Sequence, residues 1–304
     1  MRTAFFKTLE RFYADSSEVV VLTADLGYKL FDEFRAMDPQ RFYDVGVAEA
    51  NMIGLASGLS LCGKLVYCYS IVPFLVMRPF EQIRIDVAYH NLDVRLVGAG
   101  GGFAYGLEGI THQGLEDIAL MRTLPNMTIV APADRFEAER IAELSSGHHG
   151  PMYIRLGHTN EPAVHDRKPD FEIGKALIMH EGKDVALLSY GRTVSICKGA
   201  IDLLSGDGIK PTLINVHTIK PLDTEAISEI FENNEVVFIV EEHISEGGLG
   251  SAVAELATDS DYCGKVRRVG VDRTKSFVGR ADYLRESHGL SPGMIADAVR
   301  KEMA

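Results

Sequence analysis

The chain has 304 residues, of which 46% are hydrophobic and 24% charged, and a formal net charge of −12 at pH 7. This length allows roughly two domains, each with its own buried core. The acidic balance argues against a nucleic-acid-binding protein, which usually carries a basic surface. A phosphorylated substrate remains compatible with it, because a few local Arg and Lys side chains can bind a phosphate group.

Cysteine usage and hydropathy indicate a reducing compartment and no membrane span. The four cysteines form no CxxC pair and no zinc-like spacing, which is typical of an intracellular protein. No run of about 18 apolar residues is present. The first residues lack the apolar centre and cleavage site of a signal peptide. We therefore expect a cytoplasmic protein without a membrane partner.

Apolar runs alternate with helical patterns through the first half of the chain. Helices are predicted over 2–14, 49–62, 74–90, 114–123 and 134–146, and strands over 19–26, 42–46, 64–71, 94–100, 127–132 and 151–157. Strands that alternate with helices in this way favour a parallel sheet covered by helices on both faces.

A second alternation follows a polar stretch that contains two prolines. Strands are predicted over 185–191, 211–217, 236–243 and 266–271, and helices over 193–205, 223–232, 248–258 and 291–303. We place the domains at 1–160 and 173–304, with a linker at 161–172. The predicted fold class is α/β, with two domains that each contain a mostly parallel sheet and helices on both faces.

One motif in the second half resembles a metal site but is predicted to be a turn. Residues 206–208 read GDG, and Asn233 and Asn234 follow at the spacing of the diphosphate-Mg²⁺ motif of thiamine enzymes. A metal-binding aspartate in that motif should follow a buried strand, whereas Asp207 follows an amphipathic helix. Gly and Asp are usual residues of such a helix-to-strand turn, so we reject the metal interpretation.

Several long segments, in order along nearly the whole chain, resemble transketolases. Those similar to the pyrimidine-binding domain are DVGVAEANMIGLASGLS (44–60), SIVPFLVMRPFEQIR (70–84), EGITHQGLEDIALMRTLPNMTIVAPAD (108–134) and YIRLG (153–157). Those similar to the C-terminal domain are SYGRTVSICKGA (189–200), NVHTIKPLD (215–223) and VEEHISEGGLGSAVAE (240–255). Related families include deoxyxylulose-phosphate synthases and the β subunits of 2-oxo-acid dehydrogenases.

The resemblance begins after the transketolase domain that binds the diphosphate and the metal. It therefore implies the C-terminal subunit of a split transketolase, with thiamine diphosphate as cofactor. Mg²⁺ would be held mainly by a separate N-terminal subunit. Since the family's site lies between the two kinds of domain from different chains, we expect a heterotetramer of two plus two subunits, with this chain as its central dimer.

The resemblance assigns two residues to the pyrimidine ring of the cofactor. Glu49 matches the glutamate that contacts ring atom N1′ and shares a proton with it. Burial of a carboxyl group among apolar neighbours favours its protonated form, which suits this role. A helix N-terminus that merely favours a carboxylate is the alternative for Glu49. Phe74 matches the aromatic residue that packs on the ring.

Two further residues share the predicted helical face of Phe74. Met77 stands where many transketolases have a second aromatic residue, and Phe80 follows on the same face. The resemblance allows both a cofactor contact. A stripe of apolar side chains at helical spacing is equally well explained as core packing, and the sequence leaves the two interpretations open.

The substrate residues implied by the resemblance are His112, Glu108, Arg155, Arg2 and Lys29. His112 matches a histidine that meets substrate oxygens, where an imidazole can transfer protons. Glu108 replaces the usual aspartate on a donor hydroxyl. Arg155 and Arg2 match arginines that hold the sugar-phosphate tail, although a solvated terminal residue would also explain Arg2.

Two positions depart from the family's phosphate site. Gly100 stands where the family has a histidine, and Lys29 where it has a serine. Part of the usual phosphate cradle is therefore missing, and a new cation is present.

The resemblance implies transfer of a two-carbon ketol unit from a ketose to an aldehyde. A decarboxylating synthase that uses pyruvate and a non-catalytic assembly subunit remain the alternatives.

Overall fold

The computed structural model describes residues 1–158, 161–272, 274–275 and 278–303. They form two mostly parallel sheets with helices on both faces, which confirms the predicted fold class. The predicted domain boundary at residue 160 and the last residue of the second predicted domain lie outside the described residues.

The elements of the first half follow the predicted alternation, with one additional helix, α2. The helices are α1 (Arg2–Asp15), α2 (Asp32–Met37), α3 (Glu49–Leu61), α4 (Val72–Val76), α5 (Phe80–Gln82), α6 (Asp117–Arg122) and α7 (Arg135–Ser146). The strands are β1 (Val19–Thr23), β2 (Phe42–Asp44), β3 (Leu65–Ile71), β4 (Val94–Ala99), β5 (Thr128–Val130) and β6 (Met152–Leu156).

The second half contains the predicted elements and three that were not predicted, namely two short strands, β7 and β10, and the helix α11. The helices are α8 (Arg192–Ser205), α9 (Thr224–Asn233), α10 (Leu249–Thr258), α11 (Ala281–Ser287) and α12 (Pro292–Met303). The strands are β7 (Leu177–His180), β8 (Ala186–Ser189), β9 (Thr212–Asn215), β10 (Thr218–Lys220), β11 (Val236–Ile244) and β12 (Lys265–Val271).

The first sheet has the strand order β10-β5-β6-β4-β3-β1-β2, and the second has the order β12-β11-β8-β9-β7. Pairing is parallel except at β10 with β5 and β7 with β9. Every residue of β1, β4, β6 and β8 is buried. Strands covered on both faces need apolar side chains on both, which is why they read as continuous apolar runs.

The two halves are joined by a strand and by a shared core. Strand β10 belongs to the second half of the chain but pairs with β5 of the first sheet, where Thr218 lies opposite Val130. Buried apolar side chains of both sheets, such as Leu96 and Ile239, belong to one contiguous cluster. The first sheet is thus completed by a strand from the second half and shares its core with that half.

The long helix predicted over 74–90 is interrupted in the structure. Helix α4 ends at Val76, α5 begins at Phe80, and Ile83–Tyr89 is π-helical. Pro79 lies between α4 and α5; proline lacks a backbone donor and clashes with the preceding turn, so it breaks a regular helix. Short π-helical segments are frequent at functional sites, and this one follows Phe74 and Arg78 in the chain.

The GDG motif lies in the turn between α8 and β9, as the sequence predicted. Asp207 accepts hydrogen bonds from Nε and Nη2 of Arg300, at 2.8 and 2.7 Å. Asn233 closes α9 by donating to the carbonyl of Glu229. No group of three or more His, Cys, Asp or Glu side chains within the described ranges could hold a metal ion. In the same ranges, no helix is long and apolar enough to cross a membrane.

Candidate functional site

Most of the predicted site residues lie beyond the carboxyl ends of neighbouring strands in the first sheet. Glu49 begins α3 soon after β2, Phe74 lies in α4 directly after β3, and Glu108 and His112 lie in the segment after β4. Parallel strands present their carboxyl ends at one edge of a sheet, which is where α/β folds usually bind ligands. The fold therefore gathers residues that are far apart in sequence.

Glu49 is a buried carboxylate with an arginine partner that the sequence analysis did not predict. Its side chain is 3% exposed, and Nη1 of Arg78 donates to Oε1 at 3.2 Å and to Oε2 at 3.0 Å. As the first residue of α3 it also lies at the positive end of the helix dipole. Buried carboxylates require such compensation, because transfer out of water penalises an unpaired charge.

Arg78 also covers the ring of Phe74. The guanidinium carbon lies 4.1 Å from the ring centroid, so one planar cation contacts both residues assigned to the pyrimidine. The four-residue spacing between Phe74 and Arg78 was visible in the sequence. Side chains four apart in a helix are neighbours, so a basic residue four after the ring-binding aromatic was a signal that could have found Arg78.

His112 lies against the same aromatic side chain. Its ring centroid is 5.0 Å from that of Phe74 with an interplanar angle of 72°, and its Nδ1 is 2.9 Å from Oγ1 of Thr111. The ring centroid of Tyr105 lies 6.3 Å from that of His112 and 5.4 Å from that of His158. The structure thus brings Glu49, Phe74 and His112 together through direct neighbours.

Met77 and Phe80 are partly buried and pack against the main hydrophobic core cluster. Met77 follows the end of α4, and Phe80 begins α5. The break at Pro79 removes the continuous helical face on which the sequence placed them with Phe74. Their cofactor contacts stay predictions, and the core contacts are what the structure provides.

The ring of Tyr105 packs against Gly100, the position at which the resemblance implies a histidine in the family. Gly100 has a φ of +83°, and a Cβ atom there would lie 2.1 Å from Cε2 of Tyr105. Only glycine lets the tyrosine ring pack against this backbone. Burial raises the pKa of Tyr105, and the Arg2 guanidinium opposes this only in part, so the phenol is neutral near pH 7.

Arg2 and Lys29 differ in their surroundings. Arg2 begins α1, and its Nη1 donates to the Tyr69 hydroxyl at 3.2 Å. Its Nε is buried and has no hydrogen-bond partner among the described residues. Lys29 is exposed on a left-handed turn, with φ at 61°, and its Nζ lies 5.5 Å from the ring centroid of Tyr28. Arg2 is therefore the better ordered of the two cations.

Arg155 is held in a buried network between the two halves. Nε donates to Oδ2 of Asp117 at 2.8 Å, and Nη2 donates to the carbonyls of Gly114 at 2.7 Å and Glu242 at 3.0 Å. Burial by itself would lower the pKa of Arg155, but the Asp117 carboxylate raises it above its usual value. These contacts give Arg155 a structural role, and its predicted contact with a substrate phosphate stays a prediction.

Replacing Arg155 with methionine should lower the free energy of unfolding by about 3–5 kcal/mol, because Asp117 would remain buried without its cation. Urea unfolding followed by circular dichroism measures this change. Arg11→Met is a matched control, since Arg11 pairs with Glu143 at the surface and is 64% exposed, and such pairs contribute little. Equal stability of the two variants would contradict the structural role.

Comparison with known protein families agrees with this arrangement. The profile of the transketolase pyrimidine binding domain matches residues 1–162, and that of the transketolase C-terminal domain matches residues 174–295. The chain belongs to the transketolase family. It comprises the pyrimidine-binding and C-terminal domains, the composition of the C-terminal subunit of a split transketolase.

Individual relatives include chains that this chain covers almost entirely and a longer enzyme of which it covers about half. The chain is 36% identical to a 6-deoxy-6-sulfo-D-fructose transketolase subunit of Clostridium sp. (strain MSTE9), over 99% of this chain and 94% of the relative. It is 34% identical to a 1-deoxy-D-xylulose-5-phosphate synthase of Caldanaerobacter subterraneus subsp. tengcongensis, over 97% of this chain and 47% of the relative. A solved structure described as "Split gene transketolase, inactive beta4 tetramer" superposes with a TM-score of 0.89 at 35% identity, covering 99% of this chain and 97% of that chain.

Proposed function

We propose that this chain, together with a separate N-terminal subunit, transfers a two-carbon ketol unit from a ketose donor to an aldehyde acceptor. The observation that carries the proposal is the pairing of the buried Glu49 carboxylate with the Phe74 ring at the carboxyl edge of the first sheet. A single planar cation, Arg78, contacts both. Their arrangement fits a planar ligand that both stacks and forms hydrogen bonds.

The residues present fit the pyrimidine half of thiamine diphosphate. Glu49 would exchange a proton with ring atom N1′ across a hydrogen bond, as the donor when its carboxyl group carries the proton and as the acceptor when the ring carries it, and Phe74 would support the face of the ring. When bound, the cofactor supplies the electron sink for breaking and forming the carbon–carbon bond. Burial of Glu49 keeps water from competing for the shared proton.

His112 and Glu108 are placed to meet the substrate. His112 packs against Phe74, so its imidazole lies next to the proposed ring site, where it can exchange a proton with a substrate oxygen. Glu108 is exposed in the short helical turn Gly106–Glu108. A carboxylate there would orient a donor hydroxyl by accepting its hydrogen bond.

Arg2 supports an anionic group at the far end of the substrate. It combines a positive charge with a buried Nε that lacks a partner among the described residues, and a guanidinium binds tetrahedral oxyanions well. Tyr105 adds a neutral phenol in place of the family histidine. The name of the Clostridium relative specifies a sulfonated sugar, which agrees with an anion-binding end that differs from the usual phosphate cradle. Lys29 is a second candidate cation for it.

A separate N-terminal subunit would hold the diphosphate and Mg²⁺ and close the site. Exposed apolar side chains flank the candidate residues along the chain, with Val47 70%, Leu107 69% and Ile110 59% exposed. We take these side chains as candidates for the contact surface with that subunit, because a contiguous apolar patch beside a site is typical of a protein interface. We infer a heterotetramer of two plus two subunits with this chain as the central dimer.

The test is a substrate assay with the assembled complex. Ketose and aldehyde pairs should yield products lengthened and shortened by two carbons, without release of CO₂. Pyruvate consumption with CO₂ release would instead support the decarboxylating alternative, which the likeness to deoxyxylulose-phosphate synthases keeps open. Absence of both reactions across donor sugars with and without anionic tails would favour a non-catalytic assembly subunit.

A further inference from the structure

Arg78 makes both of the contacts that the proposed function assigns to the cofactor ring. Its Nη1 hydrogen-bonds both oxygens of Glu49, and its guanidinium carbon lies 4.1 Å from the centroid of Phe74. A guanidinium and an aminopyrimidine are both planar and both present N–H or ring nitrogen atoms at an edge. The Arg78 guanidinium and the cofactor ring would therefore contact the same carboxylate, that of Glu49, and the same face of Phe74.

The two groups compete because Glu49 has little room for both. Its side chain is 3% exposed, and Nη1 of Arg78 already occupies a hydrogen-bonding position at both carboxylate oxygens. A guanidinium 4.1 Å from the ring centroid leaves no space for a second planar group on that face of Phe74. His112 packs at 72° against the same ring and further restricts access.

The Arg78 side chain can move away from Glu49 and Phe74. Its side chain is 49% exposed, and only one of its terminal nitrogens, Nη1, holds Glu49. It lies between the end of α4 at Val76 and the start of α5 at Phe80, directly before Pro79. A half-exposed arginine on such an interrupted segment can move into solvent when a ligand takes its place, because the ligand then supplies the partner that the buried Glu49 side chain needs.

We propose that Arg78 is a gating residue for the cofactor: its guanidinium occupies the pyrimidine position and must move away from Glu49 and Phe74 before thiamine diphosphate binds. The inference rests on the proposed function, since it takes Glu49 and Phe74 as the ring-binding pair. Arg78 also shields the buried carboxylate, so the pair costs less free energy than an isolated buried charge.

Calorimetric titration of thiamine diphosphate and Mg²⁺ into this chain mixed with the N-terminal subunit tests the gate. Arg78→Met removes the guanidinium but keeps an unbranched side chain, and it should lower Kd by about three- to fivefold, the upper part of the range expected for release of one ion pair with an exposed partner. Arg78→Lys keeps a charge for Glu49 without a planar group, so its Kd should fall between those of the wild type and Arg78→Met.

Arg84→Met is the matched control, because Arg84 is an exposed arginine of the same segment that lies over Tyr89 instead. It should leave Kd unchanged. Weaker binding by Arg78→Met would overturn the gate and make Arg78 a lasting cofactor ligand. An unchanged Kd would overturn it as well. Absence of binding by the wild type and Arg78→Met alike would overturn the proposed function and, with it, this inference.

A second variant separates competition at Glu49 from a general effect on the surface. In a Glu49→Gln background, Arg78 has lost its charged partner, so Arg78→Met should then change Kd by less than twofold. Non-additivity of this kind is the signature of two side chains that interact directly. A threefold or larger effect that persists in the Glu49→Gln background would contradict the gate.

Discussion

Glu49→Gln should lower kcat of the assembled complex by about 10²–10⁴-fold, the contribution usual for a positioned proton-transfer group. Glutamine has nearly the same shape and still forms hydrogen bonds, so packing around α3 is retained. It cannot take up or return a proton at the proposed ring atom. Steady-state rates of two-carbon transfer at saturating thiamine diphosphate and Mg²⁺ measure the effect.

Glu81→Gln is the control for this variant, because Glu81 is an exposed residue of α5 whose carboxylate accepts a hydrogen bond from the side chain of Gln82. It should retain wild-type kcat. Thermal unfolding of both variants should match the wild type, since loss of the fold would also abolish turnover. Wild-type kcat in a well-folded Glu49→Gln complex would contradict the catalytic assignment of Glu49.

Thiamine diphosphate with Mg²⁺ should bind at least about 100-fold more tightly to the mixture of the two subunits than to this chain alone. The reason is the distribution of contacts. In the proposed site Glu49 and Phe74 would offer the cofactor one hydrogen bond and one ring face, whereas the charged diphosphate would need the metal and the N-terminal subunit. The described residues provide no cluster of three acidic, histidine or cysteine side chains for that metal. Calorimetry with each subunit and with the mixture measures the difference.

Tight binding by this chain alone would contradict a site divided between two subunits. It would also make the GDG motif at residues 206–208 a candidate metal site again. Asp207→Asn decides that case, because it removes the only carboxylate of the motif and would abolish metal-dependent binding if the motif were used. The variant should otherwise leave binding in the mixture unchanged, since Asp207 pairs with Arg300 on the surface of the second half.

Much of the fold followed from the sequence because the pattern was strong and local. Strand β1 reads VVVLT and is fully buried. Helix α7 is capped by the preceding Asp134, whose carboxylate accepts hydrogen bonds from the backbone N–H groups of Phe136 and Glu137. Apolar runs of strand length between amphipathic helices specify parallel α/β sheets with few alternatives. The turn at Asp207 was equally predictable, since Asp207 follows an amphipathic helix, whereas the aspartate of the metal motif should follow a buried strand.

Short or interrupted elements escaped prediction because their conformations depend on partners far along the chain. Strand β10 has three residues and forms only by pairing with β5. The break of the helix at Pro79 was visible as a proline. The π-helical register of Ile83–Tyr89 was not, since it depends on how the segment packs against α3 and the sheet.

The sequence by itself determined the α/β class, the order of the two halves, and the chemical types at the site: a carboxylate, an aromatic ring and an imidazole. These depend on local periodicity and on residue identity at motif positions. The tertiary structure decided which side chains meet. It placed Arg78 on Glu49 and Phe74, filled the space beside Gly100 with Tyr105, and buried Arg155 on Asp117. Such contacts depend on distances between residues that only the packed sheets and helices bring together, which no local pattern encodes.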